Sequence, residues 1–133
     1  MIGILIISHC DLGKELLNAA ELIVGRLEAA DSISITQATD SQDTLKAISR
    51  RIKALDRGKG VLIFTDMFGG TPSNLSLSFL EDDRVEVLTG VNLSMLISAA
   101  QDRGRLSLKE LGERALKAGR RSINLAGKLL QSE

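Results

Sequence analysis

The sequence predicts an α/β fold built on a mainly parallel sheet, with strand order 2-1-3-4 and helices on both faces. Three observations carry that expectation. Continuous aliphatic runs at residues 2–7 and 61–65 suit strands covered on both faces. Segments of helical spacing follow each strand-like run, and such alternation implies right-handed parallel crossovers. The 133 residues make one domain, 1–133, able to bury about two thirds of its unfolded surface, and no repeat, low-complexity tract or linker divides them.

The elements follow in order. Ile2 to Ile7 is the first strand. Leu12, Leu16, Leu17, Ala20, Ile23, Val24 and Leu27 then recur at the period of a helix. Ser32 to Thr36 is a short second strand. Asp40 or Ser41 caps a second helix with the apolar face Leu45, Ile48, Ile52 and Leu55, which ends at Gly58 and Gly60. Val61 to Thr65 is the third strand. Thr71 is expected to cap the next helix, with Pro72 at its first position, running to about Leu80. Val85 to Leu88 is a fourth strand. Asn92 caps a helix to about Ala100. Ser107 and Glu110 form a capping box for a last helix running towards Leu130.

Composition excludes several classes. Hydrophobic residues make up 44% and charged residues 26%, as in ordinary soluble domains. Seventeen basic and seventeen acidic residues cancel, which leaves no basic excess for a nucleic acid. With three Phe and no Trp or Tyr, few rings are available for base stacking. A single cysteine forms no internal disulfide and gives no sign of secretion. The N-terminus lacks a basic region before its apolar run, so it reads as a strand and not as a signal peptide. No run reaches the roughly 18 apolar residues of a membrane span. The expected location is the cytoplasm.

Polar residues gather at three strand ends: Ser8-His9-Cys10-Asp11, Asp66-Met67-Phe68-Gly69-Gly70-Thr71-Pro72, and Thr89-Gly90-Val91-Asn92. Ligands of open α/β sheets bind beyond the carboxyl ends of strands at the switch point. The expected strand order makes strands one and three neighbours there, which puts His9 beside Asp66. His9 is the one histidine of the chain. A lone loop histidine is commonly just a satisfied structural group, and Asp66 alone reads equally well as a turn residue. Together they suit nucleophilic work: neutral imidazole offers one nitrogen, and a carboxylate on the other fixes the tautomer. Gly69 and Gly70 let backbone approach a ligand. A phosphoryl group on His9 is then expected to meet the helix opening at Thr71-Pro72, with hydroxyls from Thr71 and Ser73; an ordinary capped helix is the blander reading. Cys10 is expected as a small buried thiol. No metal site is expected, since His9, Asp11 and Asp66 would converge as ligands only by coincidence, and no cofactor is expected either. Lys117, Arg120 and Arg121 read as a solvated helix face.

These residues carry a family likeness. The chain resembles the IIA component of the mannose-type phosphoenolpyruvate-dependent sugar phosphotransferase system. The likeness spans nearly the whole length and rests on the first strand ending at His9, on GVLIFTDMFGGTPSN at residues 60–74, and on TGVNLSML at residues 89–96. Ser94 stands where relatives often carry proline. The resemblance implies an open parallel sheet, usually in a homodimer completed by an edge strand from the partner. It implies that His9 accepts a phosphoryl group from the histidine phosphocarrier protein and passes it to a IIB component, which serves a membrane permease. It also implies that Asp66 supports the ring and Thr71 lies near the phosphoryl group. No IIB domain follows in the sequence, so a separate IIB partner is expected. Two other readings remain open at this point. One is a switch phosphorylated on Asp66, which needs an acidic Mg²⁺ cluster and a lysine at a later strand end. The other is a non-transporting regulatory or binding module.

Overall fold

A computed structural model describes residues 1–131. The strands are β1 (Gly3–His9), β2 (Ala30–Ile35), β3 (Val61–Thr65) and β4 (Val85–Thr89). The helices are α1 (Leu12–Val24), α2 (Ser41–Leu55), α3 (Thr71–Leu77), α4 (Leu93–Asp102), α5 (Leu108–Arg121) and α6 (Ala126–Gln131). The four strands form one sheet in the order β2-β1-β3-β4, and every strand pair is parallel. Fold class and order are those the sequence predicts.

The unbroken aliphatic runs fill both faces of the central strands. Ile2, Ile4, Ile6, Leu62 and Phe64 share one core with Leu17 and Ala20 of α1, Met95 and Leu96 of α4, and Leu111 and Ala115 of α5. Leu5, Ile7, Val61 and Ile63 share the other with Ile48, Ile52 and Leu55 of α2. At roughly 1.5–3 kcal/mol for each large aliphatic side chain buried, this double cover is the main force holding β1 beside β3. The edges are less protected: β4 beyond Val85 is only half-buried.

Three caps stand as predicted. The Asp40 side chain accepts from the Gln42 amide, Asn92 from the Met95 amide, and Ser107 and Glu110 close a reciprocal capping box. The Asn92 cap forms with Ser94 in the first turn of α4.

Four expectations need correction. The cap of α3 is Gly70, in extended conformation, so Thr71 is already helical. α3 also stops at Leu77, short of Leu80. Ser76 Oγ donates to the Pro72 carbonyl and Ser78 Oγ to the Leu75 carbonyl, and such bonds compete with helical ones. The last helix breaks in two: the Ser122 amide and hydroxyl turn back on the carbonyls of α5, and α6 restarts at Ala126. Finally, Leu12 and Ile23 of the expected α1 core face are exposed; the buried stripe is narrower and holds Gly13, Leu17 and Ala20.

Candidate functional site

β1 and β3 run side by side with Ile7 opposite Thr65. β3 leaves the sheet there into Asp66, while β1 runs on beside β2 with Ser8 opposite Ser34 and His9 opposite Ile35. There the Asp66 carboxylate closes on His9. Its Oδ2 accepts the His9 main-chain N–H at 2.9 Å and lies 2.7 Å from His9 Nδ1, while its Oδ1 accepts the Met67 amide at 3.0 Å.

Burial pushes the Asp66 pKa up. The hydrogen bonds from the His9 backbone and ring, together with the positive charge His9 can carry, outweigh it, so the carboxyl titrates below the ordinary aspartate value. An ionised carboxylate only accepts hydrogen bonds. Nδ1 therefore carries the proton facing Asp66, and in neutral imidazole Nε2 keeps a free lone pair. The Asp66 side chain is 10% exposed and that of His9 49%, so the anchor is covered while the ring is open. A pair this exposed contributes at most about 1 kcal/mol to stability; its consequence is orientation.

The β3–α3 loop comes up to the ring. A Cβ on Gly70 would sit 3.1 Å from His9 Cε1 and 3.6 Å from Nε2, so any larger residue there would make the ring give by a few tenths of an ångström. Thr71 is exposed at the start of α3. Ser73 is not available as expected. It lies on the buried face of the helix with Pro72 and Ser76, fully enclosed, and its hydroxyl has no surface with which to meet a group on His9. Cys10 is exposed, not buried. It has left the pleat of β1 in a left-handed conformation, φ 51°. Asp11, also beside the site, accepts from Ser34 Oγ at 2.7 Å. No group of three or more His, Cys, Asp or Glu able to hold a metal occurs among the described residues.

Two features went unread in the sequence. Ser8, the polar residue inside an aliphatic strand, is fully buried and ties the turn after β1; its type alone was the available signal. Met67 and Phe68, 53% and 73% exposed, place apolar surface on the loop beside the ring, and nothing in a single sequence distinguishes them from core residues.

The family model for the PTS system fructose IIA component, EIIA-man, matches residues 3–116. The chain belongs to this family. The IIA component is 30% identical over 124 residues to the PTS system mannose-specific EIIAB component of Escherichia coli (strain K12), covering 92% of this chain but 38% of that longer protein. It is 30% identical over 112 residues to the PTS system fructose-specific EIIA component of Bacillus subtilis (strain 168), covering 84% and 77% of the two chains. The crystal structure of phosphotransferase system component EIIA from Streptococcus agalactiae superposes with a TM-score of 0.87 at 30% identity, over 96% of this chain and 99% of that one. This IIA component is thus a sugar phosphotransferase system protein. Among its described residues, no helix is long and apolar enough to cross a membrane.

Proposed function

We propose that this IIA component is a cytoplasmic phosphohistidine carrier. Nε2 of His9 takes a phosphoryl group from the histidine phosphocarrier protein and gives it to a IIB component. The observation that carries the reading is the Nδ1–Asp66 contact of 2.7 Å, which leaves Nε2 as the nitrogen with a lone pair on the open side of the ring.

In the transfer, the Nε2 lone pair forms the new N–P bond as the donor's N–P bond breaks, and the donor imidazole leaves with the electron pair. Nδ1 keeps its proton. The ring then gains positive character, which the Asp66 carboxylate stabilises in place. The exposed Thr71 hydroxyl and the main chain at Gly70 are the groups proposed to meet the phosphoryl oxygens. Such transfer is chiefly positioning and electrostatics, so a fixed, solvent-facing ring is the main requirement.

The working form is proposed to be a homodimer. The support is the half-buried β4 edge together with α6 and the segment before it, where Ile123, Leu125, Leu129 and Leu130 are 56–77% exposed. Apolar surface of this kind on a free chain marks an interaction site. Sedimentation at micromolar concentration is expected to give twice the chain mass, and a monomer there overturns the dimer.

The carrier reading is tested by intact-protein mass after incubation with phosphoenolpyruvate, enzyme I and the histidine phosphocarrier protein. One acid-labile phosphoryl group is expected on the wild type and none on His9→Ala. No added mass with active donors, or equal labelling of both proteins, refutes it.

A further inference from the structure

We propose that Ser8 is a positioning residue for the His9 imidazole. It would act through the turn that carries the ring and not by touching the reacting atoms. The proposal takes from the carrier reading only that His9 is the working group.

Ser8 is the last covered residue of β1, with His9 next to it exposed. Its hydroxyl is used in both directions. Oγ accepts the Gly13 amide at 2.8 Å and donates to the Cys10 carbonyl at 3.3 Å. These two bonds reach across His9 and close the chain from the end of the strand to the first turn of α1. The turn so closed is tight. Cys10 adopts φ 51°, a region that a residue with a Cβ enters at a cost. A Cβ on Gly13 would come within 2.8 Å of Ile6 Cγ2 and 3.1 Å of Ser8 Oγ. The start of α1 thus rests directly on the strand, with no slack.

The backbone of residue 9 matters more here than at most side chains. Asp66 Oδ2 receives both the His9 main-chain N–H and its ring Nδ1. If the turn rotates, the amide and the ring move off one oxygen together. Ser8 therefore sets the direction of the bond pair that selects the tautomer. A merely structural role, capping the Gly13 amide, would lower stability when removed but leave the His9 ring as it was. That difference separates the two roles.

The test is the long-range ¹H–¹⁵N spectrum of the His9 ring in ¹⁵N-labelled protein with the ring neutral, for wild type, Ser8→Ala and Ser8→Thr, alongside the phosphoryl-transfer rate. The wild type is expected to show one tautomer, with the proton on Nδ1. Ser8→Ala is expected to show a mixture and to lose transfer by about tenfold or more, since small misplacements of a reacting group are costly. Ser8→Thr, which keeps the hydroxyl, is expected to restore the single tautomer. If Ser8→Ala does not fold, Ser8→Cys, similar in size with a weak acceptor, takes its place. A folded variant lacking the hydroxyl with wild-type ring shifts overturns the proposal, and so does a wild type with mixed tautomers. The ring spectrum needs no phosphoryl donor. A chain that is never phosphorylated but whose tautomer depends on Ser8 would refute the carrier reading and leave the positioning role standing.

Discussion

At each end of the central strands one charged side chain gathers neighbouring groups, and the two ends use it differently. At the amino end, Arg103 is 5% exposed and donates from Nε to the Ile2 carbonyl at 2.9 Å and from Nη2 to the Ala29 carbonyl at 2.8 Å. Burial, with repulsion from Arg57, pushes its pKa below the ordinary arginine value, against the attraction of Glu28. At the carboxyl end, Asp66 is almost as well covered, but it shares one oxygen with a ring that is half in solvent. Arg103 spends two of its nitrogens on main-chain oxygens and holds the start of β1 to the chain before β2. Asp66 leaves its partner with one nitrogen unengaged. Chemistry becomes available where a buried charge orients a group that keeps a free, exposed lone pair. A buried charge tied to backbone alone gives structure.

That contrast can be broken by exchanging the two outcomes. Arg103→Met removes the side-chain donor from the Ile2 carbonyl and one of the two donors from the Ala29 carbonyl, which keeps the Ile4 amide, and is expected to lower the unfolding free energy by about 2 kcal/mol, read by urea denaturation, with the extent of His9 phosphorylation unchanged. Asp66→Asn is expected to do the reverse. It is expected to slow phosphoryl transfer by on the order of 10- to 100-fold or more, as removing a carboxylate that orients a metal-bound histidine does, measured by rapid-quench labelling, with little change in the urea midpoint. Equal effects of both substitutions on stability and on transfer would erase the distinction between the two ends.

Smaller effects sharpen it. The Asp66 pKa is lowered, so the stability that the pair contributes is present above the unfolded aspartate value and is lost as pH falls through the folded one. The ¹³C carboxyl shift of Asp66 should therefore titrate with a midpoint below about 3.9; a midpoint at or above that value contradicts the pairing. Gly70→Ala places a Cβ 3.1 Å from His9 Cε1. The ring must give by a few tenths of an ångström, and transfer is expected to slow by only a few-fold, by the same positional logic.

The pattern of legibility follows the physics of each region. β1 and β3 are covered on both faces, so their aliphatic runs announce strands without help from context. Their adjacency then brings His9 and Asp66 together from topology alone. Asp40, Asn92, Ser107 and Glu110 are local caps and could be read locally. Thr71 is not legible as cap or first helical residue, because a threonine before proline looks the same in either place, and the extended backbone of Gly70 decides the matter. Ser73 was expected at the site because sequence distance does not reveal which face of a short helix is covered. Cys10 is expected inside because a free cysteine is usually a small buried group; the chain turns left-handed there and leaves it exposed. The break between α5 and α6 depends on a tertiary contact. Asn92 Nδ2 donates to the Gly119 carbonyl at 3.1 Å and lies 3.4 Å from Ser122 Oγ, and no window of the last helix contains that partner.

On the proposed carrier reading, Asp66 holds Nδ1 and leaves Nε2 of His9 to carry the phosphoryl group. The most direct measurement is the ¹H–¹⁵N and ³¹P spectrum of the ¹⁵N-labelled protein after phosphorylation, which distinguishes the two ring nitrogens. The account predicts a single phosphohistidine with phosphorus coupled to Nε2 and the proton retained on Nδ1. Phosphorus on Nδ1, or on a residue other than His9, would contradict it.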